Sequence, residues 1–502
     1  MPRPVSIEAK INRIRQDSDA CDSGRVSTLD ETRPLPQASL SCFALLASLC
    51  LILCFCQESK ADELSQGVVI EKVACRESAE QTYALFLPSA YTPSRKWPVL
   101  YAFDPMARGR VPVERFKEAA EKYGYIVIGS NNSRNGPVKA SLEAMEAVWR
   151  DSHARFSIDD ARVYATGFSG GARVASLTAT VCGNCVAGVI ACGAGFNRAA
   201  PPSKSTSFVV FATVGVDDFN YPELAELDAL LEKNNVPHRV ATFEGGHSWP
   251  PAELCFEALE WLEIQAVRKG KRPKDEAFVR DIFDKTLSRA RSLEEQKKSY
   301  EAYGLYQSLA ASYKGLVDTT EVERKVSELK SSAVVKERVR EEKSQLERQR
   351  MITEGLVQLT RLLSNPEERE TALGDLRRRA AELRKKAEAA EDTGERRVAR
   401  RALRQVFAMF YEAGTIQYAK DRNAAKAQLE LAAEVAPRDP APFYQLAILY
   451  AQGGEKRRAL EALRRAVENG LKDPALIEGN ADLSRLRDEA EYRKIVDGLK
   501  TK

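Results

Sequence analysis

Arg162-Val-Tyr-Ala-Thr166 runs straight into Gly167-Phe168-Ser169-Gly170-Gly171, and a helical pattern follows from Ala172. A β-branched run, a turn of small residues around one serine, and a helix together make a single physical device. So tight a turn forces its central residue into a strained backbone conformation, and side chains at the flanking positions would clash. The serine hydroxyl then projects above the sheet edge, with the positive end of the helix dipole and its free N–H groups behind it. G-x-S-x-G alone is frequent by chance; its place between a strand and a helix gives it weight.

A serine nucleophile needs a base, and the base needs an orienting acid. Two later strand patterns end at suitable residues. Phe208–Thr213 leads to Gly215-Val216-Asp217-Asp218, and His238–Phe243 leads to Glu244-Gly245-Gly246-His247. The chain has only 3 histidines. His153 falls on a helical stretch and His238 inside a strand, which leaves His247. Serine, aspartate and histidine thus occur in that order, each just past a strand, with Asp217 and Asp218 both standing at the acid position.

Outward from these residues the pattern is α/β. Short apolar runs occur at Gly67–Val73, Gln81–Leu87, Pro98–Phe103, Tyr125–Gly129, Arg162–Thr166, Val186–Cys192, Phe208–Thr213 and His238–Phe243. From the third run on, helical stretches separate most of them: Val113–Tyr123, Val138–Arg155, Gly170–Val181, Pro222–Asn234 and Pro251–Lys269. Such alternation predicts a mostly parallel sheet with helices on both faces, here with an antiparallel start. The predicted catalytic unit is 62–268, and Lys269–Asp275 (KGKRPKD) is a basic linker. Strand signals then vanish. Residues 276–405 read as charged helices with apolar seams at Ile352, Leu356, Leu359 and Leu363, and at Leu376, Ala380, Leu383, Ala387 and Ala390. Residues 406–502 repeat: Ala425, Leu429 and Ala432 match Ala459, Leu463 and Ala466 at a spacing of 34, with Ala413 and Ala447 at the small position of the first helices. Tyr450 fills an aromatic position where Ile416 stands in the earlier unit. This resembles the tetratricopeptide repeat, which implies stacked helical hairpins with a concave face for a protein or peptide partner. Leu483, Leu486, Tyr492 and Ile495 suggest a decayed third unit, and Tyr300–Tyr313 another remnant.

The strand-end serine, aspartate and histidine make residues 65–265 resemble the α/β-hydrolase superfamily, above all the exported esterases related to polyhydroxybutyrate depolymerases, feruloyl esterases and dienelactone hydrolases. The resemblance implies an α/β-hydrolase sheet, a small ester substrate, no cofactor and no metal. It makes Ser169 the nucleophile, His247 the general base and acid, and Asp218 the orienting acid, since in such enzymes that acid stands three residues after the glycine. It also implies an oxyanion hole of backbone N–H groups, one from Gly170 and one from the loop after Val99–Phe103. There the usual His-Gly is replaced by Asp104-Pro105; proline has no N–H, so the donor is Met106 or Asp104. Asn131, Asn132, Arg134 and Asn135 follow the fourth strand run and are candidate substrate contacts, although a plain turn explains Asn-rich sequence as well. Tyr221 and Trp249 are candidate pocket walls.

The 502 residues carry 76 Lys plus Arg against 72 Asp plus Glu, so the whole chain gives no case for nucleic acid. The basic run Arg377–Arg404 has no aromatic residue for base stacking and reads as a solvated helix face. At the amino end, 1–61 combine a polar tail with the apolar block Cys42–Cys56, which fits a secretory signal cleaved after Ala61 or a retained membrane anchor. The catalytic unit is thus expected outside the cytoplasm: periplasmic, secreted or anchored. Beyond that block lie Cys75, Cys182, Cys185, Cys192 and Cys255, and Cys182-Gly-Asn-Cys185 reads as a local disulfide or two buried thiols.

Overall fold

A computed structural model describes residues 64–500 apart from 199, 364 and 419. The tail 1–61, its apolar block and the cleavage point lie outside the described residues. Among the described residues no helix is long and apolar enough to cross a membrane.

All eight expected strands form: β1 (Val69–Ala74), β2 (Thr82–Phe86), β3 (Trp97–Phe103), β4 (Ile126–Ser130), β5 (Ile158–Phe168), β6 (Gly188–Cys192), β7 (Val209–Gly215) and β8 (His238–Phe243). They make one sheet in the order β1-β2-β4-β3-β5-β6-β7-β8. β2 runs antiparallel to both neighbours, and every other pair from β4 to β8 is parallel. This is the α/β-hydrolase sheet. β5 starts four residues earlier than its β-branched run suggested, because Ile158 also pairs with Trp97.

Strand alternation divides the core. Tyr101, Phe103, Val210 and Val214 point to one face, where they meet Leu142 and Val148 of α2 (Val138–Arg155), Ala172 of α3 (Gly170–Val181) and Leu227 of α4 (Tyr221–Lys233). Leu100, Val209 and Phe211 point to the other, against Phe116 of α1 (Arg110–Tyr123) and Leu262 of α5 (Ala252–Arg268). Both faces are therefore covered, as continuous apolar strands require.

Lys269–Asp275 is a folded joint. The Lys271 N–H donates to the Ala266 carbonyl, Arg272 pairs with the fully buried Glu263, and its guanidinium lies over the Phe278 ring at 3.9 Å. Asp275 caps α6 (Glu276–Glu295) through the Phe278 N–H. Ile264 and Val267 of α5 share one apolar cluster with α6, α7 (Ser299–Tyr313) and α8 (Thr320–Ser331), so the last helix of the sheet unit and the helices after it have core in common. The 30-residue α9 (Ala333–Leu362) reaches from that cluster at Val335 to a second one at Leu356 and Leu359. There it packs with α10 (Arg369–Ala387) and α11 (Gly394–Gln417).

α11 pairs with α12 (Arg422–Val435), and α13 (Pro440–Gln452) with α14 (Lys456–Glu468). Ala425, Leu429, Ala432, Ala459, Leu463 and Ala466 are all fully buried, but the first helix of the first hairpin sits one residue off the expected register. Gly414, rather than Ala413, faces α12: a Cβ on it would lie 2.7 Å from Leu429 Cγ. Ile416 is 64% exposed, so it does not fill the place Tyr450 takes in the next hairpin. Helix α15 (Pro474–Glu478), a 3-10 turn at Leu483–Leu486 and α16 (Ala490–Lys500) close the end.

Candidate active site

Ser169 stands between β5 and α3 with φ 53 and ψ −120. Holding a residue with a side chain there costs about 1–3 kcal/mol, which the surrounding packing must supply. The flanking glycines permit it. A Cβ on Gly167 would lie 2.1 Å from the Gly171 carbonyl oxygen, and one on Gly171 would lie 2.0 Å from the carbonyl oxygen of Phe103. The Ser169 N–H donates to the Cys192 carbonyl at 2.9 Å, which ties the turn to β6.

Ser169 Oγ is 2.9 Å from His247 Nε2, and His247 Nδ1 is 2.9 and 3.0 Å from the two carboxylate oxygens of Asp218. Asp218 is fully buried and also accepts the Asn220 N–H at 2.8 Å. An ionised carboxylate only accepts, so Nδ1 carries the imidazole proton and Nε2 is left to accept from the serine hydroxyl. The imidazole lies between the rings of Phe219 (4.3 Å) and Phe168 (4.6 Å). Asp217, the other residue at the acid position, turns away and binds Arg400 of α11 at 2.8 Å.

Gly170 opens α3, so its N–H has no carbonyl one turn earlier to bond, and it lines the cleft beside Ser169. The expected partner donor is differently employed. Met106 N–H donates to Asp104 Oδ1 at 2.9 Å, because the buried Asp104 carboxylate organises its own loop and also takes Arg108 and the Trp249 indole N–H. Trp249 is therefore a buried strut behind His247 and no pocket wall. Asn131 and Asn132 are also removed from the cleft. Their amides tie the backbone, Asn131 to Gly109 and Glu71, Asn132 to Thr82 and Glu80. Tyr221 faces the helices: its hydroxyl donates to Glu342 and its ring lies under Arg401 at 3.8 Å. Arg134 and Asn135 do line the cleft.

The cleft measures about 2180 Å³. Ser169 and His247 form its floor, and its far wall comes from α10, α11 and the turn before α13. The basic run Arg377–Arg404 is thus no simple solvated face. Arg400 and Arg401 reach the loop that carries Asp218, and Arg401 is only 3% exposed. Sequence reasoning missed them; the spacing of Arg397, Arg400 and Arg401, which places three cations on one helix face, is the signal that was there to find.

Among the described residues the cysteines are withdrawn from the cleft, with Cys75, Cys192 and Cys255 all buried. Cys182 and Cys185 form a disulfide, and burial pushes the thiols of Cys75 and Cys192 up to about 11. Among the described residues no group of His, Cys, Asp and Glu is placed to hold a metal.

A sheet whose second strand is reversed, with its serine turn after β5, defines the α/β-hydrolase fold. No protein-family model matches the sequence, and no curated protein is similar to it. Several solved structures are similar over about two fifths of the chain. The S-formylglutathione hydrolase of Staphylococcus aureus is 14% identical over 40% of this chain and 98% of its own, with a TM-score of 0.33. A ferulic acid esterase is 17% identical over 39% and 97%, with a TM-score of 0.33. Dipeptidyl peptidase 4 of Porphyromonas gingivalis is 15% identical over 38% and 34%, with a TM-score of 0.32. Likeness of this extent carries no statement of activity, which rests on the side chains of this chain alone.

Proposed function

We propose that this chain is a serine hydrolase that cleaves carboxylic esters through an acyl-enzyme on Ser169. The observation that carries the reading is the unbroken hydrogen-bonded series from Ser169 Oγ through His247 to Asp218, with each contact 2.9–3.0 Å. Ser169 Oγ attacks the ester carbonyl carbon while His247 Nε2 takes its proton. Asp218 stabilises the imidazolium, and the Gly170 N–H receives the developing oxyanion. His247 then hands its proton to the departing alcohol as the C–O bond breaks. A water molecule, deprotonated by the same nitrogen, releases the acid. The chemistry needs no metal and no cofactor.

The cleft supports an ester with a large acyl or alcohol part. Pockets for small ligands run to about 300–1,000 Å³, and this one is larger. Met106 (67% exposed) and Ile416 (64%) offer apolar surface on its two walls. Export is supported by the apolar Cys42–Cys56 block and by the Cys182–Cys185 disulfide, which suits an oxidising compartment. The hairpins after 406 are proposed as a tetratricopeptide-like surface for a protein or peptide partner.

A fluorophosphonate should label the wild-type chain and leave Ser169→Ala unlabelled. Aryl and alkyl esters should then turn over faster than peptide amides. A wild-type chain that takes no label defeats the reading, and faster cleavage of peptides would move it to a serine peptidase.

A further inference from the structure

We propose that Arg401 of α11 and Gln349 of α9 are positioning residues that hold the loop Val216–Tyr221 so that Asp218 meets His247. The inference rests on the triad reading above and makes the helical region a working part of the hydrolase.

The loop has to satisfy two demands. It must present the Asp218 carboxylate to His247 Nδ1, and it must lay the Phe219 ring against the imidazole. Bonds within the sheet unit meet part of the need. Val216 and Asp217 N–H groups donate to the carbonyls of Phe243 and Gly245, on the segment that leads to His247, and the Asn220 amide reaches the Gly193 carbonyl. β8 is the edge strand, so no further strand supports the loops at its end. The helices stand in that place. Arg401 Nε donates to the Val216 carbonyl at 2.6 Å, and Gln349 Nε2 donates to the Phe219 carbonyl at 3.3 Å. The two donors grip the loop on either side of Asp218.

Their burial is the telling feature. Gln349 is 1% exposed and Arg401 3%. Burying an amide, and still more a guanidinium, is unfavourable unless hydrogen bonds compensate. An interface that only had to adhere would be built more cheaply from apolar side chains. Polar groups aimed at particular carbonyls fix a position, and here both carbonyls belong to the acid loop. The neighbouring arginines of α11 act in the same direction: Arg400 binds Asp217, and Arg397 lies 3.9 Å from Glu244 on the segment before His247. Arg401 is further confined by the Tyr221 ring beneath it.

A loosened loop misorients the base through Asp218, so the loss falls chiefly on kcat. Misplacements of this kind, remote from the reacting atoms, cost up to about a hundredfold. The test uses the full chain, a fluorophosphonate and p-nitrophenyl butyrate. Arg401→Ala should lower both the labelling rate and kcat by about ten- to a hundredfold, with KM within about twofold of wild type. Gln349→Leu, which keeps the volume and removes the donor, should lower kcat about threefold, and it serves if Arg401→Ala fails to fold. Arg377→Ala, which breaks an exposed pair with Glu434, is the control and should change neither quantity. A merely structural role would lower the melting temperature of Arg401→Ala and leave kcat per folded molecule intact; that result overturns the proposal. Wild-type labelling together with unchanged kcat in both variants overturns the proposal and leaves the triad standing. An unlabelled wild-type chain removes the triad and the proposal with it.

Discussion

The sheet and the helical region hold their shapes by different means. In β2, β3, β4, β6 and β7 every residue is buried. In α9 only Val335, Gln349, Leu356 and Leu359 of 30 residues are, and in α10 only Ala372, Leu376, Ala380 and Leu383. Apolar area fixes the strands, whereas the helices rely on narrow seams bordered by exposed ion pairs such as Arg377–Glu434 and Lys386–Glu395. Exposed pairs contribute little, about 0–1 kcal/mol each. One of the four buried residues of α9 is nevertheless a glutamine, and it is spent on the acid loop. Helices α9 and α10 bury few of their residues, yet the helical region is specific at its border with the sheet.

That border runs between Asp217 and Asp218. The first binds α11, the second binds His247. Asp218→Ala should therefore lower kcat/KM by about a thousandfold or more, because the imidazole loses its orienting carboxylate. Asp217→Ala leaves the His247 contacts in place and should cost less than about tenfold. Kinetics of both variants on one activated ester decide the matter. A dead Asp217→Ala beside an active Asp218→Ala would shift the border by one residue and return the acid's role to the helix-facing side.

The sheet half was legible for a physical reason. Continuous apolar runs and the Gly-Phe-Ser-Gly-Gly turn are local signals, and the three strand-end residues follow from them. In the helical half the helices and the buried seam of the last two hairpins were legible, and the border with the sheet was not. The burial of Arg401 is decided by a carbonyl 185 residues away in sequence, and its neighbours in the chain are as charged as any solvated face. Asn131 and Asn132 misled in the opposite sense: their composition suits a binding loop, but the backbone at Glu71, Glu80 and Thr82 claims their amides. Met106 was placed by analogy with a His-Gly loop, and the carboxylate that Asp104 puts in place of that histidine takes its N–H.

Stability should show the same contrast. Phe211 in β7 is fully buried, packs edge-on to Trp261 at 5.7 Å and lies beneath Arg239. Phe211→Ala opens a cavity in a region with little freedom to collapse, and should cost about 3–5 kcal/mol. Denaturant unfolding of the full chain measures it. A cost below about 1 kcal/mol would mean that the sheet is as accommodating as the helices, and would break the comparison.

The smallest effect belongs to the terminal hairpins. Ala466 of α14 is fully buried in the cluster formed with Phe443, Leu446 and Leu463. Ala432 of α12 is equally buried but packs toward α10 and α11, nearer the cleft. A phenylalanine at either site overfills the crossing and should cost about 1–3 kcal/mol. The two should differ in what else they disturb. Ala466→Phe lies far along the chain from the border helices and should lower the melting temperature with phosphonate labelling unchanged. Ala432→Phe presses on the helix that carries Arg400 and Arg401, so its destabilisation should come with slower labelling. Equal labelling in the two variants would separate the hairpins from the acid loop. Unchanged melting in both would mean that the helices do not cross at these alanines.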